Sequence, residues 1–438
     1  GPELVPMPDI TGVSVAEDQN PDEAIVEVSL SASEFQGTLG GESSRRLFGY
    51  NQQAPGPLIQ ARVGDEIVVH FTNNLAEPTT IHWHGLRISD DMDGTPRVQN
   101  PVAPGETFEY RFTAADAGTY WYHPHVRGHE QVERGLYGPL VIHAKDEPVY
   151  DAERYILLDD ISLDGDGQIA PFSLDAHMVR MHGRLGNTLL TNGQLDDPIK
   201  MTAEQGHVER WRLLNPSNAR TMSISLSTGT MRVIATDGGL LEQPYETERL
   251  EIAVGQRYDI EVRYPEVGAV ELQTNVFTYD ENDEIVEVAL PVVQVEVSAA
   301  DNEMRAIEWP VFEPAVERPV DEVTALTFSF NGEQWMLNGL VNPEEPLFVF
   351  DEGNTVRITL DNQGGPQHPF HLHGQFFKVL SRDEPGLKDT VLVPGQEKVE
   401  IEAYLDNPGK WMLHCHILEH AELGMMAEMH VNPVASAE

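Results

Sequence analysis

Apolar and polar residues alternate along most of this chain in short runs closed by Gly or Pro, and one such run occurs three times. Gly64-Asp65-Glu66-Ile67-Val68-Val69-His70-Phe71-Thr72-Asn73 recurs as Gly206-His207-Val208-Glu209-Arg210-Trp211-Arg212-Leu213-Leu214-Asn215. It returns as Gly353-Asn354-Thr355-Val356-Arg357-Ile358-Thr359-Leu360-Asp361-Asn362. Each copy reads as a turn glycine, a half-buried strand and a closing asparagine. A second element follows each copy, Pro104-Gly105-Glu106, Val254-Gly255-Gln256 and Pro394-Gly395-Gln396, and leads into another alternating strand. A third is confined to the outer copies, Gly118-Thr119-Tyr120-Trp121-Tyr122-His123 and Gly409-Lys410-Trp411-Met412-Leu413-His414. Three related β units follow, of which the middle one lacks the histidines. Short strands, frequent turns and little helical periodicity predict an all-β chain of sandwiches.

The boundaries are softer than the repeat. Lys145-Asp146-Glu147-Pro148 reads as a first linker and the acidic, proline-bearing stretch 299–321 as a second, giving units over 1–147, 148–299 and 300–438. At 438 residues, two to three domains are the expectation on length alone.

Composition narrows the function more than the fold. The net charge is -44, from 72 acidic against 28 basic residues, and the acids are spread along the chain instead of forming a tail. Lysine stands only at 145, 200, 378, 388, 398 and 410. Such a surface opposes nucleic-acid binding and suits high salt, with plain solubility as the alternative reading. No apolar run is long enough for a membrane helix. The opening Gly1-Pro2-Glu3 carries neither a basic start nor a hydrophobic stretch, so the chain reads as an exported protein, extracellular or periplasmic, whose targeting segment has been removed. A monomer is expected. A single cysteine rules out an intramolecular disulfide.

The candidate chemistry lies in four clusters that hold ten of the 17 histidines and the only cysteine. They are His82-Trp83-His84-Gly85, His123-Pro124-His125, His368-Pro369-Phe370-His371-Leu372-His373, and His414-Cys415-His416 with His420 and Met425. Imidazole, one thiolate and one thioether suit copper best among the common first-row metals. A structural zinc site wants four Cys or His ligands in one compact spacing, which is not offered. In an extended Leu413-His414-Cys415-His416-Ile417, His414 and His416 face one way and Cys415 the other. One tripeptide can thus serve two metal centres with a short covalent path between them. On the cysteine side, His420, Met425 and an imidazole from His368 complete the two-histidine, cysteine and axial-methionine set of a blue copper site. An axial thioether holds the potential below that of a site with an apolar residue there. On the other side, His414 and His416 join His82, His84, His123, His125, His371 and His373, enough imidazoles for three close copper ions with room for dioxygen. These clusters lie in the outer units, so the site is expected at their interface.

In these four stretches, and in Lys388-Asp389-Thr390-Val391 and Thr191-Asn192-Gly193, the chain resembles a three-domain multicopper oxidase of the laccase type over essentially its whole length. The resemblance implies three consecutive cupredoxin-like Greek-key β-sandwich domains and four copper ions. A type 1 copper would take His368, Cys415, His420 and axial Met425. His82 and His371 would hold the type 2 ion, and His84, His123, His125, His373, His414 and His416 the type 3 pair. A phenol or aromatic amine would give up single electrons near His420, passing through Cys415, and four of them would reduce dioxygen to two waters. Bacterial relatives often carry a glutamate directly after the second type 1 histidine, where this chain has Ala421; Glu422 would face elsewhere on an extended strand. Asp93, in Met92-Asp93-Gly94, matches the acid that relatives place near the cluster and is the expected proton relay, so the catalytic set is Asp93, Cys415 and His420.

Other features receive structural readings. His70, His129, His143, His207 and His430 are expected to pack or face solvent. Trp83, Trp121 and Trp411 are expected to pack, and Met426 and Met429 not to bind metal. Asp175-Ala176-His177-Met178-Val179-Arg180-Met181-His182 pairs His and Met at helical spacing; a loop or short helix packed on the middle unit is preferred over an accessory soft-metal site. Three functional alternatives stand beside the laccase reading. A cuprous or other metal oxidase is disfavoured by the scatter of the 13 methionines. A non-catalytic copper carrier is disfavoured by the complete eight-imidazole set, as is a two-domain nitrite reductase by the three units.

Overall fold

The computed structural model describes residues 6–435 apart from 196–197, 280 and 283. Its regular structure is almost entirely β, in six sheets that stack as three sandwiches along the sequence. In the first, strands 45–50, 25–37, 66–73 and 107–113 face strands 59–62, 138–143, 118–123 and 82–84. In the third, strands 335–337, 322–330, 355–362, 398–404 and 377–379 face strands 348–351, 426–432, 409–415, 368–372 and 390–393. The middle sandwich carries a larger sheet centred on 152–161, 208–214 and 257–263, opposed by strands 199–204, 285–298, 268–279, 222–226 and 250–252. Each sandwich closes over its own apolar core.

The threefold repeat has a structural cause. Strands 66–73, 208–214 and 355–362 each pair parallel to an earlier strand and antiparallel to a later one, the same crossover made three times. Gly64, Gly206 and Gly353 enter them at φ of 95°, 89° and 89°, a region costly for any residue with a Cβ. The closing asparagines are buried and do the same work. Asn73, Asn215 and Asn362 each accept a backbone N–H two residues on, from Leu75, Ser217 and Gly364. Each also donates to two carbonyls that would otherwise lie buried, Glu77 and Val102, Arg220 and Ile252, Pro366 and Val393.

Four strands carry candidate ligands, β1 (His82–His84), β2 (Gly118–His123), β3 (His368–Leu372) and β5 (Gly409–Cys415), and a fifth, β4 (Thr390–Val393), flanks β3. β1 pairs with β2, setting His82 opposite His123. β3 lies between β4 and β5, setting His371 opposite His414 and Phe370 opposite Cys415. Three short helices complete the surroundings: α1 (Gly128–Gln131), α2 (His177–His182) and α3 (Leu418–Glu422). A separate apolar cluster joins the sandwiches, with Trp121 and Tyr137 from the first, Tyr155 and Leu214 from the second and Leu418 of α3 from the third.

The stretch 299–321 runs without helix or strand, yet is anchored: Ile307 and Trp309 pack beside Tyr150 and Val208, and Trp309 Nε1 donates to the Leu241 carbonyl. No helix among the described residues is long and apolar enough to cross a membrane.

Candidate metal centres

β5 ends in the tripeptide that sets the geometry. Cys415 joins the apolar core of the third sandwich, while His414 and His416 turn to the interface with the first. There the eight imidazoles expected from the sequence come together. His84 stacks on His371 with ring centroids 3.8 Å apart, and His82 on His373 at 3.9 Å. Each stacked pair takes one ring from each outer sandwich, so neither sandwich holds the site alone. Three overlapping groups have their ligand atoms within 4.8 Å of one another: His82, His371 and His373; His82, His84 and His123; His125, His373 and His414.

Seven of these rings are buried and His125 is half-buried, yet most point a nitrogen at nothing. His82 Nε2, His84 Nδ1, His123 Nε2, His125 Nε2, His371 Nε2 and both nitrogens of His416 have no hydrogen-bond partner. His373 Nε2 and His414 Nε2 meet each other at 3.0 Å. Leaving buried polar atoms unpaired costs about 1–3 kcal/mol each, so so many in one place describe a site built for a cation. Burial, reinforced by the neighbouring rings, holds His84, His123, His125, His373, His414 and His416 well below the ordinary imidazole range. The neutral ring, with a free lone pair, is the form that binds metal.

The outward nitrogens of six of these rings are held by the protein, which fixes their orientation. His82, His123, His371 and His414 direct Nδ1 at the carbonyls of Asp93, Pro124, Asp389 and Cys415, at 2.8 to 2.9 Å. Asp93 is buried, with Oδ2 2.7 Å from His373 Nδ1 and Oδ1 3.2 Å from His82 Nδ1, so it bridges ligands of both sandwiches. Gly94, at φ 80°, has to be glycine: a Cβ would lie 1.9 Å from the Ile81 carbonyl oxygen. Asp389 reaches His84 Nε2 at 3.0 Å. Burial alone would raise the Asp389 carboxyl, but the Arg257 guanidinium beside it holds it well below the usual carboxylate range.

On the other face of β5, Cys415 Sγ lies 3.4 Å from His368 Nδ1 and 3.6 Å from His420 Nδ1, and these two nitrogens are 3.1 Å apart. Burial pushes the Cys415 thiol up and His420 down to about 3, so both sit uncharged until a cation displaces the thiol proton. Met425 is fully buried in the same core and tied to both, its N–H donating to the His420 carbonyl and its carbonyl accepting from Cys415 N–H. Two imidazoles, one sulfur and a buried methionine are the donor set that copper prefers.

Several expectations need correction. Ala421 and Glu422 lie on α3 together with His420, instead of on an extended strand. The helix turns Glu422 to His129, 3.6 Å away. The segment 175–182 does form a short helix, but it packs on the third sandwich and not only on the middle one. Met181 rests on the core around Cys415, and the Arg180 carbonyl accepts from Trp335 Nε1, whose ring stands 4.7 Å from that of His420. His177, Met178 and His182 are exposed, and no three-ligand group forms there among the described residues. α2 and α3 leave a cavity of 390 Å³ beside His420, walled by His129, Phe172, Met178, Val179, His182 and Glu419.

The remaining histidines behave as expected. His70 meets Glu27, His143 meets Glu147, His207 meets Glu204 and His430 meets Glu428, while His129 lies between Glu130 and Glu422. Trp83 and Trp411 pack in cores, and Trp121 packs directly on His84 and His123. Sequence reasoning missed Arg257, Asp237 and Glu419 as neighbours of the sites. The one available signal for Arg257 was its place directly after the repeated Val254-Gly255-Gln256 turn.

Comparison with known proteins agrees with this geometry. Family profiles described as multicopper oxidase match residues 32–147, 158–269 and 316–435. Multicopper oxidase MmcO of Mycobacterium tuberculosis is 34% identical over 439 residues, covering 89% of this chain and 84% of its own. The structure titled multicopper oxidase from Campylobacter jejuni, a metallo-oxidase, superposes with a TM-score of 0.84 at 26% identity, over 99% of this chain and 97% of that one. The laccase-like multi-copper oxidase CueO of Ochrobactrum sp., described as active towards lignin model compounds and lignosulfonate, gives 0.80 at 25% identity, over 93% and 98%. Three cupredoxin-like sandwiches, an imidazole site shared by the outer two and matches along nearly the whole length place the chain in the multicopper oxidase family, oxygen-using oxidoreductases that bind four copper ions.

Proposed function

We propose that this protein is a laccase-like oxidase that couples one-electron oxidation of phenols or aromatic amines to four-electron reduction of dioxygen. The observation that carries the reading is β5, which puts Cys415 in one donor set and its two neighbours in the other. In this assignment His368, Cys415, His420 and Met425 hold the type 1 ion, His82 and His371 the type 2 ion, and His84, His123, His125, His373, His414 and His416 the type 3 pair. Bound there, copper supplies one-electron acceptance on the thiolate side and conversion of dioxygen to two waters on the imidazole side.

The chain's own contribution is separation, orientation and protons. One covalent step along the backbone links the sites, while the core of the third sandwich keeps water from Cys415. Asp93 orients His82 through its carbonyl and His373 through Oδ2, and is placed to hand on a proton from Oδ1, which makes no hydrogen bond although it lies 3.2 Å from His82 Nδ1. The cavity between α2 and α3, lined by Glu419 next to the fully buried His420, is the docking place for the reducing substrate in this reading. The same proposal divides the chain at 1–147, 148–299 and 300–438, has it work outside the cytoplasm as a monomer, and reads its acidic surface as suited to high salt.

One observation favours a second reading, a cuprous or other metal oxidase. α2 lies over the His420 side of the third sandwich and turns His177, Met178 and His182, soft or borderline ligands, to solvent. Oxygen uptake with a phenol and with Cu(I), each at low and high salt, decides between them. Turnover with phenol at the higher kcat/KM supports the laccase reading, and turnover with Cu(I) alone overturns it.

Met425→Leu is expected to raise the reduction potential of the thiolate site, because removing a weak electron-donating ligand favours the reduced ion. Redox titration of the blue absorption measures it. A fall in potential would contradict the axial role.

A further inference from the structure

We propose that Arg257, from the sandwich that has no histidine cluster, is a positioning residue for the imidazole site, acting through Asp389 to fix which nitrogen His84 turns inward. The inference rests on the ligand set assigned above.

Arg257 is fully buried and grips Asp389 with two nitrogens, Nη2 to Oδ2 at 2.6 Å and Nη1 to Oδ1 at 3.0 Å. A paired guanidinium and carboxylate have one planar geometry, so the grip fixes the rotation of the carboxylate. The rest of the guanidinium is satisfied by the carbonyls of Thr119, Gly255 and Asp237. Asp237, also of the middle sandwich, completes the clamp. Its Oδ1 accepts the Arg257 N–H at 2.8 Å, and its Oδ2 accepts the N–H groups of Asp389 and Thr390 at 3.1 Å each.

Held this way, Asp389 Oδ1 meets His84 Nε2 at 3.0 Å. An ionised carboxylate only accepts, so His84 carries its proton on Nε2 and offers Nδ1 as the free lone pair. His84 Nδ1 has no partner. His82, His123, His371 and His414 do the opposite, binding Nδ1 to backbone carbonyls and leaving Nε2 for the interior. His84 and His373 are the rings whose orientation depends on a side chain instead of the backbone, Asp389 for His84 and Asp93 for His373, and of these two carboxylates it is Asp389 that Arg257 grips.

Two glycines are shaped for this arrangement. A Cβ on Gly85, next to His84 and at φ 95°, would lie 2.5 Å from Arg257 Nη2 and 2.7 Å from Asp389 Oδ2. A Cβ on Gly255 would lie 3.0 Å from ring carbons of both His84 and His416. The turn that recurs in all three units thus backs directly onto two imidazoles in the copy that kept no ligands. Gln256, beside it, donates to the Thr390 carbonyl at 2.9 Å.

The test uses the full-length holoprotein with Arg257→Gln, Arg257→Lys and Gly85→Ala. Each is loaded with copper and dialysed against rising chelator, reading copper per chain, the type 2 EPR spectrum and the blue absorption of the Cys415 site, which Arg257 does not touch. The expected result for Arg257→Gln is an unchanged blue absorption, an altered EPR spectrum and loss of the other ions at chelator concentrations about 10- to 100-fold lower. Gly85→Ala should match it from the first sandwich, and Arg257→Lys, which keeps the charge without the fork, should fall between. Variants that keep their copper and the wild-type EPR spectrum overturn the proposal, as does parallel loss of the blue absorption, which marks general unfolding. Wild-type protein that takes up fewer than four ions instead overturns the ligand assignment beneath it.

Discussion

Replacing Cys415 with serine is expected to abolish the intense blue absorption and all turnover while leaving a folded protein that binds three copper ions. The absorption comes from charge transfer between a thiolate and the metal, and this chain has one cysteine, so no second sulfur of that kind can take over. A serine hydroxyl at that depth costs about 1–3 kcal/mol if it finds no partner, small enough for the third core to survive. His414 and His416 remain on the opposite face, so the imidazole site should still fill. Optical spectra, metal analysis and oxygen uptake measure the three outcomes separately. Blue colour or turnover in the serine variant would refute the assignment of Cys415.

The second large effect is expected at Asp93, where asparagine should lower turnover about 100-fold, the order of a lost acid–base group. Asparagine has nearly the same shape, and its carbonyl oxygen can still accept from His373 Nδ1 as Asp93 Oδ2 does at 2.7 Å. Ring orientation is therefore preserved while the ability to release and recover a proton is removed. Copper content should stay at four per chain, and the loss should appear in kcat under saturating dioxygen with an enlarged solvent isotope effect. Full activity in this variant would remove Asp93 as a relay. Loss of metal with an unchanged rate per filled site would make it a structural support for His82 and His373.

The parts of this structure that could be read from sequence are those set by local periodicity. The Gly-to-Asn repeat was legible because each strand needs the same entry turn and the same closing asparagine contacts. The opposed faces of His414, Cys415 and His416 follow from strand alternation alone. Which distant histidines complete each site is different: His84 stacks on His371 and His82 on His373, and only the family resemblance suggested the grouping. α3 escaped notice because five residues are too few for helical periodicity to appear. α2 was legible only as a loop or short helix and not as a neighbour of His420, since that contact depends on how two sandwiches dock. The Arg257 and Asp389 pair joins positions 132 residues apart, and the place of Arg257 directly after a repeated turn says nothing of that distant partner.

The stacked imidazole pairs also bear on how the enzyme is born. Each pair borrows one ring from near residue 83 and its mate from near residue 372, and His414 and His416 come later still. In the proposed assignment a nascent polypeptide therefore has no finished receptacle for the metal cluster until residue 416 has left the ribosome, so loading would follow synthesis of both outer sandwiches. On the same assignment, proteolytic removal of the final sandwich would strip the first of its ions even though all four of its own imidazoles, His82, His84, His123 and His125, stay in place.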